Sequence, residues 1–255
     1  MDPRLTAVVA VMVAACGASP PLPAPATPPE TPAPAAPALP DCPEPDVTPS
    51  PVTNDAELDV SAYEPLVLAH AFDGLAHGID VEARRGDAAY EVDLTAGALT
   101  LAGERLHVEL LGTFASSSQT FLWAWGNPSV TSCAVKHAAL ELRQRGGEPG
   151  LAPFRQRVIS DKWVPHGELL AVVAGMTGLA PMIVPHGEGG GEALLLVEGL
   201  PAPAEITPSL ARETILRAMR TFLLPGDPAE AIDAFLRSHG YRTGRPSPLE
   251  LHAET

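Results

Sequence analysis

The chain reads as an α+β protein, an antiparallel β-meander or sheet packed with helices and closed by a C-terminal helical hairpin. Three observations lead there. Apolar residues recur at three- and four-residue steps over 64–85, the period switches to two across 90–125, and two capped amphipathic segments occupy 207–240.

Ahead of that domain, residues 1–15 have the layout of a bacterial lipoprotein signal peptide. Arg4 lies near the start, an apolar run extends from Leu5 to Val13, and Ala14 and Ala15 directly precede Cys16. A bilayer crossing takes about 20 apolar residues, so this shorter run reads as a removable export signal. Cleavage makes Cys16 the lipid-bearing first residue. Residues 16–54 are then expected to form a disordered tether, because the prolines between Pro20 and Pro51 remove the backbone donors that a helix or an internal strand needs. Proline-rich chain extends about 3.1 Å per residue, which gives a reach on the order of 100 Å. Gly17 rather than Asp after the acylated cysteine points to the outer membrane, with the domain periplasmic or surface-exposed.

Residues 55–255 have the size of one domain around one core. Within Glu64–Arg85, Leu66, Val67, Ala69, Ala71, Phe72, Leu75 and Ala76 give a helical stripe that Gly74 and Gly78 weaken. Tyr90, Val92 and Leu94 then alternate with charged residues, Ala96-Gly97 supplies a turn, and a second strand from Leu99 stops at Gly103. A longer strand spans Leu106–Phe114, Ser116–Ser118 turn the chain, and Gln119–Trp125 form another strand. After Asn127-Pro128, Ser132 caps a helix carrying Val135, Ala138, Ala139 and Leu142 as far as Gly146-Gly147. Residues 150–163 show no clear period. A helix starts near Pro165 and runs through Leu169, Leu170, Val172, Val173 and Met176 to Gly178. Pro181–Val184 and Ala193–Val197 read as a buried hairpin around the glycine-rich loop Gly187–Gly191. Thr207 and Pro208 open a helix with Ala211, Ile215, Ala218, Met219 and Phe222 on one face, and Pro225-Gly226 break it. Asp227, Pro228 and Glu230 open the last helix, which turns Ala231, Ile232, Phe235 and Leu236 inward and ends at Gly240. This helical hairpin is expected to pack on the sheet.

The run Leu110–Ser129, LLGTFASSSQTFLWAWGNPS, places Trp123 and Trp125 directly before Gly126, Asn127, Pro128 and Ser129. It resembles the bacterial family of domains of unknown function 6882, whose members carry a W-x-W-A-N-P-S-like run, and the likeness covers about residues 63–200. Gly126 stands where that pattern has Ala. The resemblance implies an α+β core with this boundary, and it brings no activity, cofactor or catalytic residue with it.

The chain carries a formal net charge of −15, and most of it belongs to the folded part, since only Asp2, Glu30, Asp41, Glu44 and Asp46 against Arg4 fall before residue 55. Nucleic acid is therefore a poor partner, because a basic patch is what drives such binding. With Cys16 acylated, Cys42 and Cys133 remain, and an oxidising envelope compartment allows a disulfide between them.

Strand alternation puts Phe121, Trp123 and Trp125 on one face, where they either fill the core or line an aromatic pocket, with Asn127 at its edge, for a sugar, peptide or apolar ligand. Pro-His-Gly-Glu occurs twice, and His166, Glu168, His186 and Glu188 are residue types that could ligate a divalent metal. No His-Glu-x-x-His helix or cysteine cluster accompanies them. Ser116, Ser117 and Ser118 lack the Gly-x-Ser-x-Gly context of an activated nucleophile, and the glycine-rich loop lacks the Lys-Ser/Thr of a nucleotide site. No cofactor is implied. Glu109, Asp161, His166 and Glu168 are available for acid-base work, but nothing in the sequence fixes a pair in space. The expectation is thus a lipid-anchored binding or interaction domain of the cell envelope. It would meet the membrane through Cys16 and an envelope protein or small ligand through its surface. The alternatives are an envelope hydrolase using His166 with Asp161 or Glu168, and a purely structural lipoprotein.

Overall fold

The computed structural model describes residues 58–147, 149–187, 190–247 and 250–254. The signal, Cys16, the tether, Cys42 and Glu188 lie outside the described residues.

Helix α1 (Glu64–Arg85) leads into strands β1 (Tyr90–Asp93), β2 (Ala98–Leu101), β3 (Glu104–Ala115) and β4 (Thr120–Trp123). These pair antiparallel in sequence order, as a meander with alternating burial requires. Helix α2 (His137–Arg145), the single turn α3 (Ala152–Arg155) and the short strand β5 (Val158–Ser160) follow, with β5 at the β4 edge. Helix α4 (His166–Thr177) precedes the hairpin of β6 (Ala180–His186) and β7 (Gly191–Val197). Strand β7 returns to the middle of the sheet, pairing Val108–Phe114 of β3, so β3 carries neighbours along its whole length. The seven-stranded antiparallel sheet and its helices make the α+β class expected from the periodicities.

Helix α4 is apolar nearly all round, with Leu169–Ala174 buried without a break, because it packs on β6 and β7 while α1 crosses over it. Glycine permits that crossing. A Cβ on Gly74 would overlap the Ala171 carbonyl oxygen, and one on Gly175 would overlap the His70 carbonyl oxygen. Gly74 thus serves helix contact rather than marking a weak helix.

Helices α5 (Pro208–Thr221) and α6 (Pro228–Ser238) begin as their sequences require, with Thr207 accepting from the Leu210 N–H and Asp227 from the Ala229 N–H. The hairpin packs chiefly on α1 and not on the sheet. Phe72 and Ala76 on the outer face of α1 join Ala211, Ala218, Phe235 and Leu236 in a second core, where Phe72 and Phe235 stack at 5.4 Å. A terminal two-stranded ribbon, β8 (Arg242–Ser247) and β9 (Glu250–Glu254), has no counterpart in the sequence reading.

Candidate functional site

The aromatic motif is interior. Strand β4 ends at Trp123, and Ala124–Gly126 form a 3-10 turn, so Trp125 does not continue the alternation of a strand. Trp123 is fully buried and donates from Nε1 to the Pro153 carbonyl at 3.0 Å. Phe121 and Phe154 meet it edge to face. Trp125 is buried beneath the Arg143 guanidinium, which sits 4.7 Å from its ring centroid. Gly126 lies under Arg157, whose Nε donates to its carbonyl at 2.7 Å, and Asn127 accepts the Ser129 N–H at 3.0 Å to turn the chain. Of the two readings of Trp123 and Trp125, the geometry matches the core one, because both residues are buried. Asn127 is a turn residue.

Of the four metal candidates, His166, Glu168 and His186 are described and Glu188 is not. His166, the first residue of α4, stacks on Phe114 with ring centroids 3.9 Å apart. Its Nδ1 lies 2.6 Å from Asp161 Oδ1 and its Nε2 lies 3.0 Å from Glu192 Oε2. Asp161 also accepts the His166 backbone N–H at 2.7 Å, satisfying a donor at the start of the helix. Of the two partners offered for His166 in the hydrolase alternative, Asp161 lies beside it, with Glu192 as a third member that the sequence did not pick out. Each ring nitrogen of His166 thus faces a carboxylate oxygen. His186 is exposed at the far end of β6. Among the described residues no group of three His, Cys, Asp or Glu side chains is disposed to hold a metal ion.

Glu168, two residues along α4, points away from His166 into the interior. It is 2 % exposed and accepts the Leu223 N–H, just beyond α5, at 2.7 Å. Burial raises its pKa to about 7, while the hydrogen bond from Leu223 acts in the opposite direction. The buried Tyr63 hydroxyl lies beside this carboxyl without full hydrogen-bond geometry, and burial with that neighbour pushes it well above the ordinary tyrosine value. Glu168 therefore does not partner His166; it ties α4 to the C-terminal hairpin.

The other polar candidates have structural partners. Glu109 accepts the Ala138 N–H at 2.5 Å and so serves the start of α2. Ser116 donates to the Gly190 carbonyl, and Ser118 pairs with Thr120 in the β3–β4 turn. The buried His77 bonds the Leu200 carbonyl at 3.1 Å. Cys133 is disulfide-bonded.

An open cleft of about 230 Å³ lies where α1, α4, β6 and α5 meet. Its walls are apolar, from Ile79, Leu170, Met182, Ile183 and Phe222, and small residues Gly78, Gly167 and Ala171 keep it hollow. A Cβ on Gly167 would meet nothing within 4 Å. Three charged side chains line it: Glu82, Arg85 and Arg217. Arg217 donates to Glu82 at 2.7 Å and to Glu213 at 2.9 Å, and these two carboxylates raise its pKa further. The Arg85 guanidinium lies 5.3 Å from the Tyr90 ring centroid. A wider groove of about 590 Å³ runs between α5 and α6, with charged lining of balanced sign in Arg212 and Asp227. The first concavity is made by elements far apart in the chain, whereas the second lies between consecutive helices.

Fold and motif together define an α+β domain built around a buried tryptophan turn. The chain matches the family of unknown function DUF6882 over residues 64–200, more than half its length, and belongs to that family. No curated protein and no solved structure matches the chain.

Proposed function

We propose that the chain is a lipid-anchored cell-envelope protein whose domain works by binding, with the cleft between α1, α4, β6 and α5 as its ligand site. Cys16 carries the acyl chains, residues 16–54 are the tether, and the domain sits at the outer membrane on the periplasmic or outer face. Cys42 is the partner of Cys133, pinning the end of the tether to the domain. The observation that carries the binding reading is the cleft, whose apolar walls and few convergent charges are the usual makeup of a small-molecule site. The order of Arg4, apolar run, Ala-Ala and Cys16 carries the anchor. Metabolic labelling with a fatty-acid probe is expected to mark the wild-type chain and to leave Cys16→Ser unlabelled. An unlabelled wild-type chain that keeps its initiator methionine would sink the anchor.

A hydrolase is the second reading, favoured by the 2.6 Å approach of Asp161 to His166. Glu192 on the opposite nitrogen weighs against it.

A further inference from the structure

We infer that the cleft takes a single-chain amphiphile bearing one anionic group, a medium-chain carboxylate, with its aliphatic part in the cleft and its head against Arg85 and Arg217. The inference rests on the binding reading above and names the ligand class of that site.

Volume comes first. Ligand pockets span roughly 300–1,000 Å³, so about 230 Å³ holds one slender apolar body and excludes a two-chain lipid. The walls choose the body. Leu170, Met182, Ile183 and Phe222 offer apolar surface, and Ile183 is 40 % exposed on a strand of the folded sheet. Gly78, Gly167 and Ala171 let a chain lie close to the helix backbones of α1 and α4. Burying such a chain gains about 0.8 kcal/mol per methylene.

The rim chooses the head. Arg85 and Arg217 face Glu82 there, and Glu213 also holds Arg217, so the charges balance and Arg85 is the cation left without a carboxylate among the described residues. Arg85 lies against an aromatic ring. Arg217 is held by Glu82 and Glu213, both about half exposed, and such surface pairs are weak enough to be exchanged. A carboxylate head at this rim would accept charge-assisted hydrogen bonds from Arg85, and from Arg217 once its surface pairs exchange.

Calorimetric titration of the full chain with decanoate, and in parallel with the uncharged decyl maltoside, tests the assignment. Decanoate is expected to bind with one-to-one stoichiometry and at least tenfold more tightly than the maltoside. Gly167→Leu fills open space inside the cleft and is expected to lower decanoate affinity at least tenfold, while Gly167→Ala changes it less than threefold. Arg217→Gln is expected to narrow the preference for decanoate over the maltoside. Thermal melts accompany each variant, and a folded Gly167→Leu chain that binds decanoate as the wild type does would overturn the site. Equal affinity for the two amphiphiles would overturn the anionic assignment while leaving the cleft as a binding site. No decanoate binding at all would overturn the inference, and leaves the acyl-labelling result at Cys16 to stand or fall separately.

Discussion

Glu168 occupies the first turn of α4, where the helix dipole favours a carboxylate, yet burial lifts its pKa from the ordinary 4.5 to about 7. A group whose pKa is higher folded than unfolded binds more protons in the folded state. Its linkage therefore favours folding at low pH, and the chain loses stability as pH climbs from about 4.5 through 7. The loss amounts to about 3 kcal/mol once the carboxyl ionises in place. Glu168→Gln keeps an acceptor for the Leu223 N–H and removes the charge, so it is expected to gain stability of that order at pH 8 and almost none at pH 4.5. Urea melts of both chains at the two pH values check this, and a pH-independent difference would refute the assignment. The sequence could not rank Glu168 against His166 as chemistry, because residues two apart on a helix point in different directions and only the packing says which is inward. Trp123 and Trp125 show the same limit. Their motif was legible as a family mark, whereas its physical content, an indole bonded to Pro153 and a 3-10 turn under Arg157, depends on residues some 30 positions downstream.

Among the elements, the long helices and the meander were legible from their periods, although α2 starts at His137 after a 3-10 turn and without the Ser132 cap expected for it. Thr207 with Pro208, Asp227 with Pro228, and Gly178 at a left-handed helix end are local devices that need no tertiary context. The ribbon β8–β9 was not legible, since RTGRPS mixes Gly and Pro into a strand without alternation. Residues 152–160 yield one helical turn and a three-residue strand, too short to show any period. Gly74 and Gly78 share a face of α1 but meet different neighbours, Gly74 the backbone of α4 and Gly78 Pro181 of β6. Gly74→Ala gains about 1 kcal/mol of helix propensity but drives a methyl into the Ala171 carbonyl. The crossing of α1 over α4 must open, and a net loss of about 2 kcal/mol is expected in denaturant melts. Gly78→Ala meets only the Pro181 ring at 3.1 Å and is expected to fall within about 0.5 kcal/mol of the parent. Equal effects at the two positions would contradict this account of the crossing.

At the scale of the molecule, the family match stops at residue 200 while the packing does not. The hairpin that follows covers Phe72 and Ala76, supplies Arg217 and Phe222 to the cleft, and places the Leu223 N–H on Glu168. Tyr241 donates to the Ile206 carbonyl at 2.6 Å and closes the far side of the same small core. A chain ending at Leu200 would uncover that face of α1, and a single phenylalanine side chain brought from burial to water costs about 1.5–3 kcal/mol. The shortened chain is expected to melt earlier and to bind more of a hydrophobic dye than the full chain does. Truncation should also act on pH dependence. Without the hairpin, water reaches the Glu168 carboxyl and the desolvation that raises its pKa is relieved, so the fall in stability between pH 5 and 8 should shrink along with stability itself. The two readouts separate a general loss of packing from this particular coupling. A shortened chain that melts early but keeps the full pH slope would show that α1 and the sheet alone bury Glu168, and the hairpin would then stabilise the family domain through the Phe72–Phe235 core without controlling the carboxyl.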